Sequence, residues 1–314
     1  MYDVFPSGEP IVAIARCSRT TQVAEVLPRV LDAALPGAEG LRTARVLVKP
    51  NLVSARPLAC TEPLVVAGLC RWLQEQGAVV RVADSPGFGT AQYVARRVGL
   101  DAALRPLGLA VEALEAPLPL RLDTGVTFPV ARLAQESDLI FSAARVKAHS
   151  QMRLTLSVKN CFGCVSGLRK AIIHTRQGQD PAFFAACLAA LWAALPPVLG
   201  LLDGITAMHV TGPSAGQPYA LGLLAASASC VALDEAVYAL LGCPVDQVPL
   251  AEALARRGEA HCRANGCRPR FPLLTPEEVA VRDFRWPVHL AHTSFRPGRL
   301  LKSCLRRIWL SCKN

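Results

Sequence analysis

The sequence predicts an α/β protein with a mostly parallel sheet and helices on both faces, followed by a basic C-terminal appendage. Three observations predict it. Short apolar runs alternate with helix-period segments, as strands buried on both faces and joined by crossover helices do. Each run gives way to polar residues at its carboxyl end. Hydrophobic residues make up 52% and charged residues 18% of the 314 positions, which supplies a large core and argues against disorder. Together these describe a Rossmann-like arrangement, although no Gly-x-Gly-x-x-Gly follows the first strand.

Strands are expected at 11–15, 46–48, 79–83, 139–144, 198–202 and 221–226. The first is followed by Arg16 and Cys17, the second by Lys49, Pro50 and Asn51, and the third by Asp84, Ser85 and Pro86. Arg145 and Lys147 follow the fourth, and Asp203 and Gly204 the fifth. Helices are expected at 21–34, at 62–76 with Thr61 as cap, at 90–98, and at 230–241 with Gly242 as stop. In a parallel sheet, ligands bind beyond the carboxyl ends of the strands, so these polar residues gather along one edge.

The charge-free run 182–202 has the length of a membrane span. Asp180 and Pro181 instead read as a helix start, and Pro196-Pro197 as its stop, leaving a short buried strand after it. The opening residues carry Asp3 and Glu9 and no long apolar run, so no secretory leader is expected. Twelve cysteines scattered through core segments then read as reduced thiols in a cytoplasmic protein.

Net charge is +10, but residues 261–314 hold eleven Lys/Arg against three Asp/Glu, a net of +8. We therefore expect an α/β domain over 1–260 and a basic, Cys-containing tail over 261–314. Nucleic acid is not an expected partner, because no aromatic-plus-basic motif accompanies the charge. In the tail, Leu300, Leu301, Cys304, Leu305, Ile308 and Trp309 form one helical stripe beside Arg299, Lys302, Arg306, Arg307 and Lys313. Such a helix over 299–313 can dock on the body or on a partner. It can also touch an anionic membrane surface, making the protein peripheral there.

The chemistry concentrates in 138–174, which holds Arg145, Lys147, His149, Arg153, Lys159, Asn160, Arg169, Lys170 and His174. Clustered cations repel, and an anion offsets that cost. A phosphate, a carboxylate or an acidic cofactor is the natural partner; a solvated basic loop is the alternative. The apolar stretch 161–165 includes Gly163, which suits a loop pressed against a ligand. Cys161 and Cys164 form a Cys-x₂-Cys pair open to a redox or metal role. The Gly/Pro loop 212–218 is either a phosphate cradle or a plain turn.

Lys147-Ala148-His149, Thr155, Lys159-Asn160-x-x-Gly163, His174, Asp203-Gly204, Gly212-Pro213 and Asp234 resemble domain of unknown function 362, as do Lys49-Pro50-Asn51, Thr61 and Asp84-Ser85-Pro86 upstream. The resemblance covers roughly 11–245. Members of that family usually place a Glu after a Met following the Asp-Gly pair; here His209 follows Met208. Many members carry a ferredoxin-like tail. Cys262, Cys267, Cys304 and Cys312 lack its close spacing, although with His261 they could bind a metal.

The same stretch more distantly resembles the N-terminal domain of nickel-dependent lactate racemases. There a catalytic His is followed by a Lys that holds a nucleotide-derived pincer cofactor and then by a nickel-ligating His. The matching residues here are His149, Lys159 and His174. The second catalytic His of those racemases is missing, and Asp84 stands near its place, so the racemase reaction is not carried over.

The expected site is therefore His149, Lys147 and Asp84 for catalysis and His174 for a metal. Lys159, Asn160, Gly163, Lys49, Asn51 and Asp203 would hold an anionic small molecule or a cofactor. Nickel, iron or a nucleotide-derived group is the expected cofactor, and redox or proton transfer the expected chemistry. The alternative is a non-catalytic, iron–sulfur-linked redox or metal-handling protein served by a ferredoxin-like partner.

Overall fold

The computed structural model describes residues 9–167, 169–259 and 268–290. The helix expected at 299–313, the tail cysteines Cys262, Cys267, Cys304 and Cys312, and His261 lie outside these residues. The described chain is α/β, as expected.

The strands are β1 (Ala13–Arg16), β2 (Arg45–Pro50), β3 (Val79–Asp84), β4 (Val111–Ala113), β5 (Pro117–Arg121), β6 (Thr127–Ala131), β7 (Leu139–His149), β8 (Arg153–Thr155), β9 (Val198–His209), β10 (Gln217–Tyr219) and β11 (Leu223–Ser227). The helices are α1 (Val23–Ala34), α2 (Pro63–Glu75), α3 (Ala91–Val98), α4 (Leu100–Leu104), α5 (Arg132–Glu136), α6 (Ser157–Asn160), α7 (Arg169–Gln177), α8 (Pro181–Ala194), α9 (Cys230–Leu240) and α10 (Pro249–Arg256).

The main sheet runs β1-β11-β9-β7-β2-β3-β4. The five strands from β9 to β4 are parallel, whereas β11 and β1 close the other edge antiparallel. Both faces are covered. Val46 and Val48 of β2 join the apolar layer formed with α1 to α4, while Leu47 points into the layer formed with α8 and the β5–β6 hairpin. That alternation is the period-two geometry of a strand buried on both sides.

The run 182–202 divides as its prolines require. Asp180 accepts from the Ala182 and Phe183 amides at 2.9 and 3.1 Å, α8 ends at Ala194, and β9 begins at Val198. Among the described residues no helix is long and apolar enough to cross a membrane.

Two strands run further than the sequence predicts. β7 continues to His149 and β9 to His209, so Arg145, Lys147 and His149 sit in a strand rather than in a loop. The extensions are stable because β8 pairs with the end of β7 and β10 with the end of β9, which satisfies their backbone groups. All of β7 is buried.

The cap expected of Thr61 comes from elsewhere. Its hydroxyl accepts from the Asn51 amide at 2.9 Å and donates to the Ala143 carbonyl at 2.7 Å, stitching β2 to β7. The N-terminus of α2 is met by Asp203, which accepts from the Glu62 amide at 2.8 Å. Asp203 is fully buried and also pairs with Arg145 at 3.1 Å.

Residues 268–290 lie against the body. Leu274 donates to the Ile14 carbonyl, Val281 to that of Leu240, and Val210 to that of Arg285. Val279 and Phe284 are buried beside α9. Arg153, with φ 63°, sends its guanidinium to the Gln247, Pro287 and Val288 carbonyls.

Replacing Asp203 with Asn would leave Arg145 only Glu62, at 3.6 Å, as an acidic partner. The expected loss is about 3 kcal/mol, read as a lower urea midpoint at unchanged slope. An unchanged midpoint would show that the pair carries no stability.

Candidate functional site

The carboxyl ends of β2, β3 and β7 meet the turn formed by α6 and residues 161–164. Their polar side chains form one buried network. Lys49 lies 2.8 Å from Asp84 Oδ1 and also donates to the Pro50 carbonyl at 2.9 Å and to Asn160 Oδ1 at 3.3 Å. Asp84 accepts further from the Leu52 and Ser85 amides, both at 2.7 Å. Asn51 donates to Asn160 Oδ1 at 2.8 Å and accepts from Lys147, which also donates to the Ala59 carbonyl at 2.9 Å. The Asn160 amide donates to the Lys49 carbonyl and to Ser142 Oγ, both at 3.1 Å. In a low-dielectric interior such a network orients every member.

Gly163 closes over this network. A Cβ there would lie 2.3 Å from Lys49 Nζ and 2.8 Å from Asp84 Oδ1, so only glycine lets the turn approach the ion pair. The turn is held from behind by Asp234 of α9, whose two carboxylate oxygens accept from the Ser157 and Val158 amides at 2.8 and 3.1 Å. Burial pushes Asp234 up to about 7, against the pull of those two amides.

Three further groups share the site's electrostatics. Lys159 is nine-tenths buried and, among the described residues, its amine has no hydrogen bond or ion pair. Burial lowers it to about 8. Burial also lowers Lys147 to about 7, with Lys159 and Arg145 pushing the same way and Cys60 opposing. His149 is held well below its usual value by burial first, then by Lys159, His174 and Lys147. His174 sits edge-on to Phe162 (centroids 5.0 Å apart) and 4.6 Å from Phe184, and burial with Lys159 and Lys170 takes it to about 3. Both imidazoles are neutral at physiological pH.

The structure thus brings together Lys49, Asn51, Asp84, Lys147, His149, Lys159, Asn160, Gly163 and His174. Asp203 stands apart, with its oxygens taken by Arg145 and by the Glu62 and Ile205 amides. Arg153 leaves the cationic cluster for the C-terminal segment. The loop glycines serve packing: a Cβ on Gly212 would lie 1.9 Å from the Ala148 carbonyl oxygen. Cys161 and Cys164 are buried thiols. Burial raises Cys161 well above its usual value and Cys164 to about 11, which keeps both protonated. Among the described residues no group of three His, Cys, Asp or Glu side chains could hold a metal.

Sequence reasoning assigned no role to Ser142 or Asp234. Ser142 lies inside an apolar run, and its contacts with Asn160 and the Ser157 carbonyl depend on the turn's return to β7.

The lysine- and asparagine-rich network lies at the carboxyl edge of a mostly parallel α/β sheet, the edge at which folds of this class bind their ligands. The chain belongs to the family described as domain of unknown function (DUF362), whose sequence profile matches residues 46–239. It is 33% identical over 270 residues to a thylakoid-associated protein of Synechocystis sp., covering 85% of this chain and 83% of that one. Among solved structures it is similar to the lactate racemase apoprotein of Thermoanaerobacterium thermosaccharolyticum, with TM-score 0.46 and 12% identity over 74% of this chain and 57% of that one. A Thermotoga maritima protein aligns with TM-score 0.38 and 14% identity over 62% and 52% of the two chains. The chain therefore spans little more than half the length of either solved protein.

Gly163→Ala is expected to force Lys49 and Asp84 apart at a cost of about 3 kcal/mol, measured by chemical unfolding. Wild-type stability in that variant would show that the turn yields freely.

Asp234 predicts a pH dependence. Its folded value lies above its ordinary value of 3.8. Its contribution is therefore complete below about pH 4 and lost as pH rises towards 7. Asp234→Asn should flatten the stability curve across that window. A curve of unchanged slope would place the titration elsewhere.

Proposed function

We propose that this protein is an enzyme holding an anionic small molecule or nucleotide-derived cofactor at the carboxyl edge of its sheet, for redox or proton-transfer chemistry. One observation carries the reading: Lys159, a side chain nine-tenths buried, carries an amine that has no partner among the described residues and is not fully enclosed. Burying a cation without a counter-charge is costly. Lys49 is offset by Asp84 and Arg145 by Asp203, whereas the side chain and carbonyl that meet Lys147 are uncharged. A bound phosphate or carboxylate would offset Lys159 directly and Lys147 at longer range. With a value near 8, Lys159 is partly neutral at physiological pH and can act as nucleophile or base.

In this reading Asp84, a sequence candidate for catalysis, is the counter-ion of Lys49. Asn51, Asn160 and Gly163 fix the turn that presents Lys159. Neutral His174 has the chemistry of a nickel or iron ligand, and further donor atoms would come from the bound organic group. The metal would supply Lewis-acid or redox chemistry. The thylakoid association of the cyanobacterial relative supports adding a peripheral membrane contact through the basic, amphipathic segment expected at 299–313.

The test is intact-mass and metal analysis of protein purified from its native host without chelator. A mass excess in the wild type that is lost in Lys159→Ala is expected. AMP, as a soluble anionic probe, should bind the Lys159→Ala protein about tenfold more weakly or worse. Equal adduct and equal AMP affinity in both proteins would sink the reading.

A further inference from the structure

The geometry points to His149 as an uncharged hydrogen-bond donor whose Nε2–H receives an oxygen of the bound anion, rather than as the group that takes up a proton. The assignment deepens the proposed anion site and rests on it for the ligand, but its central observation needs no ligand.

The ring's Nδ1 faces the turn between β7 and β8. It accepts from the Gln151 amide at 3.1 Å and from the Met152 amide at 3.2 Å. Backbone amides only donate, so Nδ1 carries a lone pair there and no proton. A neutral imidazole with a bare Nδ1 has its proton on Nε2. Protonating Nδ1 would set a third N–H against two amide donors in a side chain that is only 6% exposed. The ring is also locked in orientation, because the residues that hold Nδ1 follow it directly in a register pairing His149 with Arg153.

Nε2 has no hydrogen bond to any described residue. It is also not among the fully enclosed polar atoms that lack a partner. The charged and titratable groups that bear on the ring are Lys159 from α6, His174 from α7 and Lys147 from its own strand. Each disfavours a second proton. A neutral donor beside a partly neutral amine suits a ligand with an oxyanion or carbonyl oxygen. The oxygen would sit on the Nε2–H, while the lysine amine offsets the charge of the anion. In this division the histidine orients and polarises the ligand without changing charge.

The test uses the full-length protein with ¹⁵N-labelled histidine. Long-range proton–nitrogen spectra are recorded at about pH 7.5, where neutral tautomers are distinguished by the shifts of the two ring nitrogens. The His149 signals are those missing in His149→Gln. The expected result is a pyridine-like Nδ1 and a protonated Nε2 without ligand, and a shift of the Nε2–H proton on adding AMP. The Lys159→Ala protein should keep the tautomer and lose the AMP-induced shift. A proton on Nδ1, or a doubly protonated ring, overturns the assignment whatever the ligand does. The expected tautomer with a proton unmoved by AMP in the wild type overturns the donor role. If AMP moves the proton equally in both proteins, the donor assignment stands and the Lys159 reading fails.

Discussion

The buried pair between Lys49 and Asp84 is the constraint on which the rest of the site depends. It joins the ends of two neighbouring parallel strands, and its remaining hydrogen bonds dictate what lies around it. Asp84 takes up the amides that follow both strands. Lys49 reaches Asn160, and through it the turn that carries Lys159. A buried ion pair stabilises little when compared with apolar packing, but removing one partner is costly. The pair therefore acts as a register pin. It holds two strand ends and a turn at one fixed separation, and glycine at position 163 is the condition for that separation.

Much of this was legible in the sequence. Apolar runs with polar terminators located six strands, and the Asp180-Pro181 start and the Pro196-Pro197 stop divided the longest apolar run correctly. The cluster at 138–174 was recognisable because so many cations and two histidines follow a single apolar run. What could not be read was contact between distant segments. Thr61 precedes a helix and looks like its cap, yet it bridges β2 to β7 while Asp203 from β9 meets the helix. Arg153 reads as one more cation in a run of cations, and only the fold shows it turning away. The extensions of β7 and β9 were missed for the same reason. Charged residues end a strand in a sequence pattern, whereas in the structure two short added strands satisfy the backbone and let β7 and β9 continue.

The site also separates charge from proton chemistry. Its cations are buried in strand and turn, and burial lowers the affinity of the amines and imidazoles for protons. The carboxylates nearby serve as counter-ions and as acceptors for backbone amides. Desolvation, rather than a neighbouring acid, is thus what tunes these groups. Any ligand that excludes more water would tune them further in the same direction, unless its own charge opposed the change.

Arg153 links two levels of this architecture. It immediately follows Met152, whose amide helps fix the imidazole of His149, and its guanidinium clasps carbonyls at Pro287 and Val288. Residues 287–288 are consequently tied to the hairpin that sets the histidine. A shift of that segment would therefore be felt at the imidazole through two covalently adjacent residues, Met152 and Arg153, without any side chain of the buried network moving first.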